Sequence, residues 1–387
     1  HANQAIILAL GKPGDKVAVT RTAHRSVLSA LVLTGLEPIW LTPEIDSATG
    51  VPTGIPVSEL ERVLDQKPIA LLLTEPGYLG TISELSALIK KAHENSIPVI
   101  VDAAWGGHFG FNSQIPQHVL QLGADALITS VHKALPGYSA SALLLAQGKL
   151  LNLDRIEQSF ETTHTTSPAG APLASIDGVR ALLQTRGDQL TGELVSLVNS
   201  FKAAVQAHFA ETIFLNATDF PSKRFDPVKI VLRANILGLS GVDVERELQQ
   251  ANIRVEMADR DTIVFLATLA DTAEDFTVLE NALVPILQKL QGPTRQTQTS
   301  LSWSVVPTVA ISMRDAYFAD TEFVLAKDAI GRISADLIAP YPPGVAVVAP
   351  GEVLTEQIVS GLAATQKAGV RIAYASDSTL ATYRVTK

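Results

Sequence analysis

The sequence predicts an α/β fold: a mostly parallel sheet with helices on both faces, a small α+β domain and a C-terminal domain. From residue 17 to about 150, continuous apolar runs typical of buried strands alternate with amphipathic runs typical of helices. After residue 150 long helices follow, and residues 227 to 290 read as strand, helix, strand, strand and helix. The 387 residues are enough for two or three domains.

The elements of the first domain can be assigned in order. HANQAIILAL is a helix that ends at GKPG. Helices are then expected in HRSVLSALVLTG, SELERVLDQ and SELSALIKKAHENS, and strands in KVAVTR, EPIWLTP, IALLLTEP, IPVIVDAAW, DALITS and SALLLA. Ligands of such sheets bind at the carboxyl ends of the strands. The functional candidates are therefore the residues that follow each strand.

We predict three domains: residues 1–195 as the major domain, 196–295 as the small α+β domain and 301–387 as the C-terminal domain. A polar linker, QGPTRQTQTS, precedes the third. Within the third domain, the prolines of PYPPGVAVVAPGE are expected to preclude regular structure, and one more helix is expected.

Composition excludes several classes of function. Hydrophobic residues make up 47% and charged residues 18% of the chain, which favours a large buried core. The formal net charge of −9 argues against nucleic acid or an anionic membrane as the main partner, and no run is long and apolar enough to span a bilayer. Cysteine is absent, which excludes disulfides and thiolate catalysis and fits a cytoplasmic enzyme. The eight histidines show no metal-binding spacing, so no metal is expected.

Two polar groups converge at one edge of the predicted sheet. Asp102 follows the strand IPVIV, and Lys133 follows the next sheet strand, DALITS. An isolated aspartate here would be a helix cap or a surface ion pair. Together with a lysine it matches pyridoxal phosphate, which needs an amine for a Schiff base and an acid that keeps its ring nitrogen protonated. The glycine-rich dinucleotide motif and the P-loop are both missing.

Three motifs in this order, VDAAWGGHFGF, TSVHKALPGYSASALLL and PYPPGVAVVAPGE, resemble the Orn/Lys/Arg decarboxylases, which are pyridoxal phosphate enzymes of the aspartate-aminotransferase fold. RTAHRSVLSAL, LLTEPGYLG, TTHTTSP and AGVRIAYASDSTLATYRV extend the resemblance over nearly the whole chain. The chain is most similar to the short biosynthetic arginine decarboxylase-like members. This implies decarboxylation of a basic amino acid, arginine before lysine or ornithine, for polyamine synthesis in the cytoplasm. It also implies a homodimer or larger homo-oligomer.

The resemblance gives individual residues their expected roles. Lys133 matches the Schiff-base lysine and Asp102 the acid at the pyridine nitrogen. His24 matches the histidine that stacks on the ring, although a lone histidine there would be a helix cap. Ala104 is a small residue at the cofactor. The indole N–H of Trp105 is expected to reach the phenolic oxygen, with a core aromatic as the alternative.

The other assignments concern phosphate and substrate. Ser130 matches a hydroxyl that contacts the phosphate. His132 is expected to protonate the carbanion, or to contact substrate or phosphate. Glu352 matches an acid for the distal cation of the substrate, with a carboxylate at the start of the following helix as the alternative. Tyr78 and Thr166 have no assigned role, and packing is expected for Tyr78.

Two departures from the family pattern keep alternatives open. The phosphate-binding loop of the family should lie just upstream of HANQAII, so we expect the natural protein to extend further at its N-terminus. TSPAGAPLAS is less bulky than its counterpart in the family. The alternatives are a pyridoxal phosphate-dependent transamination or lyase reaction, and a truncated, non-catalytic member of the family.

Overall fold

The computed structural model describes residues 1–220, 224–341 and 343–387 of the chain. Its first elements, in chain order, are α1 (Ala2–Leu10), β1 (Lys16–Thr20), α2 (Arg25–Thr34), β2 (Glu37–Leu41), β3 (Glu44–Ile45), β4 (Pro52–Gly54), α3 (Val57–Val63), β5 (Leu71–Thr74), α4 (Leu85–Glu94), β6 (Val99–Asp102), β7 (Ala126–Ser130), β8 (Ala142–Ala146), α5 (Leu153–Thr163) and α6 (Gly170–Gln206). The later elements are β9 (Ile230–Arg233), α7 (Gly241–Gln250), β10 (Met257–Ala258), β11 (Thr262–Phe265), α8 (Ala273–Leu290), α9 (Leu301–Ser304), α10 (Met313–Phe318), β12 (Thr321–Leu325), α11 (Ala326–Ala329), β13 (Ala339–Tyr341), α12 (Glu356–Lys367), β14 (Arg371–Ala373) and β15 (Thr382–Thr386).

The main sheet has six strands in the described part of the chain, in the order β2-β1-β5-β6-β7-β8. The first five are parallel, and β8 pairs antiparallel with β7. Both faces are buried: in β6, Ile100 packs with α1 and α2, whereas Val99 and Val101 pack with α3 and α4. A strand covered on both sides needs apolar residues at every position, which explains the continuous apolar runs. The predicted sheet is confirmed.

The connection from β1 to α2 places a histidine at the carboxyl edge of the sheet. His24 is the N-cap of α2, and its Nδ1 accepts the backbone N–H of Ser26 at 3.2 Å. The helix ends at Gly35, whose φ of 72° is easily reached only without a Cβ. Both ends of α2 are therefore fixed by local sequence.

The small α+β domain is built on the long helix α6. Phe201 of α6 packs its ring 6.1 Å from that of Phe214 and 5.6 Å from that of Phe276. The sheet beside it has the order β10-β11-β9 and is antiparallel. The strand and helix pattern expected for residues 227–290 is confirmed. Since α6 runs without a break through residues 195 and 196, the domain boundary placed there stays a prediction.

The C-terminal region differs from the sequence analysis in two respects. Three short helices, α9, α10 and α11, precede the one helix that was predicted, α12. The prolines do not exclude regular structure, because β13 contains Pro340 and pairs antiparallel with β14. A two-stranded sheet consists only of edges, where a missing N–H costs little. Pro342 lies outside the described residues. Among the helices of the described residues, none is both long and apolar enough to cross a bilayer.

A buried carboxyl group follows β5. Glu75 is 3% exposed, and it accepts hydrogen bonds from the hydroxyl and the backbone N–H of Ser83. Burial raises the pKa of Glu75 from 4.5 to about 7, although the hydrogen bonds from Ser83 oppose the shift. Between these two pH values the folded chain binds a proton that the unfolded chain has lost. Folding stability from this group is therefore present at low pH and is lost as the pH rises to about 7.

We predict that Glu75→Gln removes this pH dependence. The amide cannot ionise, and its oxygen still accepts from Ser83. Since one pKa unit is about 1.4 kcal/mol, the free energy of unfolding of the variant should gain about 3 kcal/mol relative to the parent between pH 5 and pH 8. Urea denaturation at both pH values measures this. Glu94→Gln, at an exposed position, is the control. An identical pH profile for parent and Glu75→Gln would contradict the prediction.

Candidate active site

The turn from β7 to β8 closes tightly on itself. The N–H of Val131 donates to the carbonyl of Ser141 at 3.0 Å, and the N–H of Gly137 donates to the carbonyl of Val131 at 2.7 Å. A Cβ on Gly137 would lie 2.5 Å from that carbonyl oxygen, so the turn requires glycine here. The closed turn presents the partly exposed His132 and Lys133 at the carboxyl edge of the sheet.

The carboxylate expected beside this turn lies on the adjacent strand. Asp102 ends β6, which pairs directly with β7, and its side chain is buried. The Asp102 Oδ1 accepts the N–H of Ala104 at 3.1 Å, and Oδ2 accepts the amide Nδ2 of Asn3 at 2.8 Å. Donors on both oxygens compensate the cost of burying the group and fix its orientation.

The amine of Lys133 is free. Among the described residues its Nζ has no hydrogen-bond or ion-pair partner, and it lies 5.0 Å from the centroid of the Trp105 ring. Burial lowers the pKa of Lys133, and the negative charges of Asp102 and Glu256 oppose that shift. A lysine with a lowered pKa has a larger neutral fraction, which is the nucleophilic form.

His24 belongs to the same electrostatic group. Its pKa is lowered, first by desolvation and then by the positive charges of Lys133 and Arg25, while Asp102 opposes the shift. The residue as a whole is exposed. The capping role that the sequence analysis gave as the alternative is confirmed. The cap uses the lone pair of Nδ1, which lies in the plane of the ring, so capping and stacking on a ring do not exclude each other.

Trp105 is enclosed on several sides. It is buried, with the ring of Tyr78 edge-on at 6.2 Å. Within residues 1–220, 224–341 and 343–387, the indole N–H of Trp105 has no hydrogen-bond acceptor. The packing role expected for Tyr78 is confirmed, since it also contacts Trp303. Thr166 is exposed between α5 and α6.

A second lysine, Lys229, lies at the same tryptophan and was not predicted from the sequence. The Nζ of Lys229 lies 3.3 Å from the centroid of the Trp105 ring, and the residue is only 3% exposed. Burial lowers the pKa of Lys229 to about 7; Asp226 and Glu256 oppose this and Lys133 adds to it. The available signal was a lysine within the apolar run PVKIVLRA, where a surface position is not expected.

Asn3 was missed as well. Its Nδ2 donates both to Asp102 and to the hydroxyl of Ser26, at 2.8 and 2.9 Å. The one signal in the sequence is an amide within the apolar helix ANQAIILAL. No spacing rule relates it to Asp102.

His132 and Ser130 lie at the end of β7 as expected. The Nδ1–H of His132 donates to the carbonyl of Ser141 at 2.8 Å, because a carbonyl can only accept. Nε2 of the neutral ring is therefore an acceptor. The hydroxyl of Ser130 is half-buried and makes no hydrogen bond to any described residue.

The structure contradicts the expected contact of Glu352 with substrate. Glu352 is 1% exposed, and its carboxylate accepts from both terminal nitrogens of Arg21 at 2.6 and 3.0 Å. Trp40 Nε1 and the N–H of Ala349 also donate to it, at 3.0 and 2.7 Å. This carboxylate is saturated and sealed from ligands. The alternative is wrong too, because Thr355 caps α12 and Glu352 lies outside the helix.

The residues that are brought together fit pyridoxal phosphate. A free lysine amine and an oriented carboxylate meet the two requirements of that cofactor. The unpaired indole N–H of Trp105 suits an oxygen acceptor, and the free hydroxyl of Ser130 suits a phosphate oxygen. The residues that could hold the cofactor are Lys133, Asp102, His24, Ala104, Trp105, Ser130 and His132.

Comparison with known proteins gives the same family. The family model for the Orn/Lys/Arg decarboxylase major domain matches residues 1–220, and that for the C-terminal domain of the same family matches residues 295–372. The chain belongs to the Orn/Lys/Arg decarboxylase family. An arginine decarboxylase of Bacillus subtilis is 35% identical over 395 aligned residues, which cover 100% of this chain and 80% of the relative.

Solved structures confirm the predicted fold. The constitutive lysine decarboxylase of Escherichia coli superposes with a TM-score of 0.80 at 19% identity, covering 100% of this chain and 69% of that one. A ureidoglycine-glyoxylate aminotransferase of Bacillus subtilis superposes with a TM-score of 0.58 at 17% identity, covering 74% of this chain and 77% of that one. Over that part of its length, this chain thus shares its fold with that aminotransferase.

We predict that Glu352→Gln destabilises the fold strongly. The amide cannot neutralise Arg21, and an uncompensated buried charge costs about 3–5 kcal/mol in the free energy of unfolding. Urea denaturation at neutral pH measures the loss. The matched control is Glu322→Gln, which breaks a 2.7 Å pair with Arg332 at a side chain that is 44% exposed; it should cost about 1 kcal/mol or less. Equal losses in the two variants would contradict a structural role for Glu352.

Proposed function

We propose that this chain is a pyridoxal phosphate-dependent decarboxylase that converts a basic amino acid, with arginine as the first choice, to the corresponding amine. One observation carries the proposal: the free amine of Lys133 and the oriented carboxylate of Asp102 lie at the ends of neighbouring parallel strands. The family supplies the reaction type, and the Bacillus subtilis arginine decarboxylase supplies the first choice of substrate. Polyamine synthesis is the use we propose for the amine.

The cofactor residues act at different points of one ring. We assign Lys133 to covalent attachment, Asp102 to the pyridine nitrogen and His24 to a ring face. Trp105 is assigned to the phenolic oxygen. When bound, pyridoxal phosphate withdraws electrons from the substrate Cα and so stabilises the charge left there when CO2 departs.

Asp102 has to remain ionised to hold a proton on the pyridine nitrogen. Its two oxygens each accept one hydrogen bond, from Asn3 and from Ala104. These hydrogen bonds prevent rotation of the group, so that its remaining lone pairs keep one direction. We therefore assign Asp102 two roles: it orients the pyridine ring of the cofactor and it neutralises the positive charge on the ring nitrogen.

Proton delivery by His132 is constrained by its contact with Ser141. Because one proton is held on Nδ1, the ring can donate from Nε2 only when it is doubly protonated. We assign His132 to proton transfer toward the substrate Cα in that form. In the neutral form its Nε2 can instead accept a hydrogen bond.

We further propose a homodimer or larger homo-oligomer in the cytoplasm. The support is exposed apolar side chains on the edge strand of the sheet and on the helix that follows it: Leu145 of β8 and Leu153 and Phe160 of α5 are all at least 39% exposed. An exposed edge strand flanked by apolar side chains is typical of a surface that another chain covers.

We predict that Lys133→Ala abolishes the visible absorbance of the cofactor-loaded protein. Without the amine there is no covalent bond to the cofactor, and any ligand that remains is lost on dialysis. Absorbance spectra before and after dialysis measure this. The control is Lys149→Ala, which removes an exposed lysine that follows β8; this variant should keep the parent spectrum. A parent-like spectrum from Lys133→Ala would refute the assignment.

We predict release of labelled CO2 from carboxyl-labelled arginine, at a higher kcat/KM than from lysine or ornithine. The assay traps CO2 and, in parallel, measures the keto acid that transamination would produce. Keto acid in place of CO2 would replace the proposed reaction by transamination. Neither product, from protein that binds the cofactor, would make the chain a non-catalytic family member.

A further inference from the structure

Four side chains form one hydrogen-bonded series across the site. Asn3 Nδ2 donates to Asp102 Oδ2 at 2.8 Å and to Ser26 Oγ at 2.9 Å. Ser26 Oγ lies 2.8 Å from His24 Nδ1, which also accepts the backbone N–H of Ser26 at 3.2 Å. The series joins the acid assigned to the pyridine nitrogen to the histidine assigned to the ring face.

The direction of each hydrogen bond follows from the ionised carboxylate. Asp102 can only accept, so the amide of Asn3 must present its NH2 group rather than its oxygen. The second hydrogen of that NH2 group points to Ser26 Oγ, which is therefore an acceptor from Asn3. The hydroxyl proton of Ser26 is left to donate to His24 Nδ1.

Two donors thus meet one nitrogen. The hydroxyl and the backbone N–H of Ser26 both point at His24 Nδ1. A proton on that nitrogen would therefore lie against the two hydrogens of these donors. Nδ1 is consequently a bare acceptor. The single proton of a neutral imidazole is then on Nε2, and adding a second proton breaks the series.

We propose that Asn3 is a positioning residue: anchored on Asp102, its amide donates to Ser26, directs the Ser26 hydroxyl proton to Nδ1 and thereby holds His24 as a neutral, Nε2-protonated imidazole. This inference rests on the proposed function. It gives a reason for a neutral His24, because a neutral imidazole can stack on a protonated pyridine without repulsion between like charges. The one positive charge of the stack then stays beside Asp102.

The surroundings of His24 also favour its neutral form. Desolvation lowers its pKa, and so do the charges of Lys133 across the site and Arg25 in α2. Asp102 is the charged group that opposes them. Arg25 is itself held over the Tyr374 ring at 4.4 Å, so its position does not depend on His24.

The experiment is NMR of protein labelled with nitrogen-15 in histidine, in the cofactor-free and cofactor-loaded forms. Imidazole nitrogen shifts report the tautomer and the pKa, and His24→Gln identifies the signal. In the parent we expect the Nε2–H tautomer. In Asn3→Asp the new acid shares one proton with Asp102, and its other oxygen accepts a hydrogen bond from the Ser26 hydroxyl. The Ser26 oxygen can then accept from a protonated Nδ1, so the acid dissociation constant of His24 should fall at least tenfold.

Two further variants keep the test decisive if Asn3→Asp does not fold. Asn3→Ala lets the Ser26 hydroxyl rotate and accept from Nδ1–H, so that only the backbone N–H of Ser26, at 3.2 Å, still disfavours a proton there, and the Nδ1–H form should become detectable. In a Ser26→Ala background the same change should leave His24 unaffected, because the series is already cut. An Nδ1–H tautomer in the parent, or a His24 signal that ignores Asn3 in folded variants, would overturn the inference.

The two proposals can fail separately. Failure of the parent to bind pyridoxal phosphate would refute the proposed function and leave the histidine shifts of the cofactor-free protein to decide the role of Asn3. A normal cofactor spectrum with unchanged His24 shifts in the variants would refute only the role of Asn3.

Discussion

The parallel pairing of β6 with β7 is the constraint on which the rest of the site depends. It fixes Asp102 opposite Ile128, and Lys133 comes three residues after β7 ends. Both faces of the sheet are covered by apolar side chains, so polar groups can reach a ligand only at the strand ends. The tight turn closed at Gly137 then keeps the lysine from extending away from the sheet.

Arg21, which is buried, differs in its environment from Lys229, which is buried, and Lys133, which is partly buried; the difference separates a structural ion pair from groups available for chemistry. Arg21 is neutralised by the carboxylate of Glu352, which also accepts two further hydrogen bonds, from Trp40 and from the backbone of Ala349, so the pair is closed. Lys229 and Lys133 have no such partner among the described residues, and burial lowers the pKa of both. A buried charge without a dedicated partner is costly to the fold, which makes it a candidate for interaction with a ligand.

The sequence was sufficient for those features that arise from local patterns. Continuous apolar runs and amphipathic helices predict the sheet and its layers, and the ends of two consecutive strands predict Asp102 and Lys133. The remainder depends on contacts between distant positions: Asn3 is 99 residues from Asp102, and Arg21 is 331 residues from Glu352. A motif such as APGE identifies a conspicuous acid but not the guanidinium that neutralises it. Pro340 led to the opposite error, in which irregular structure was predicted where a strand forms. The strand is possible because an edge strand tolerates a proline that a central strand would not.

Charge balance explains why the direction of the hydrogen bonds at His24 is important. With His24 neutral, the acid of the site that faces it is Asp102, and the amine of Lys133 lies across the site, while burial lowers the pKa of the neighbouring Lys229 to about 7. A protonated His24 would add a further positive charge beside a ring that is itself to be positively charged at its nitrogen. Asn3 and Ser26 disfavour that form by using the lone pair of Nδ1, and they do so with donors that cannot themselves be deprotonated near neutral pH. The site can therefore keep its positive charge at the position where Asp102 stabilises it, over a range of pH in which an isolated histidine would titrate.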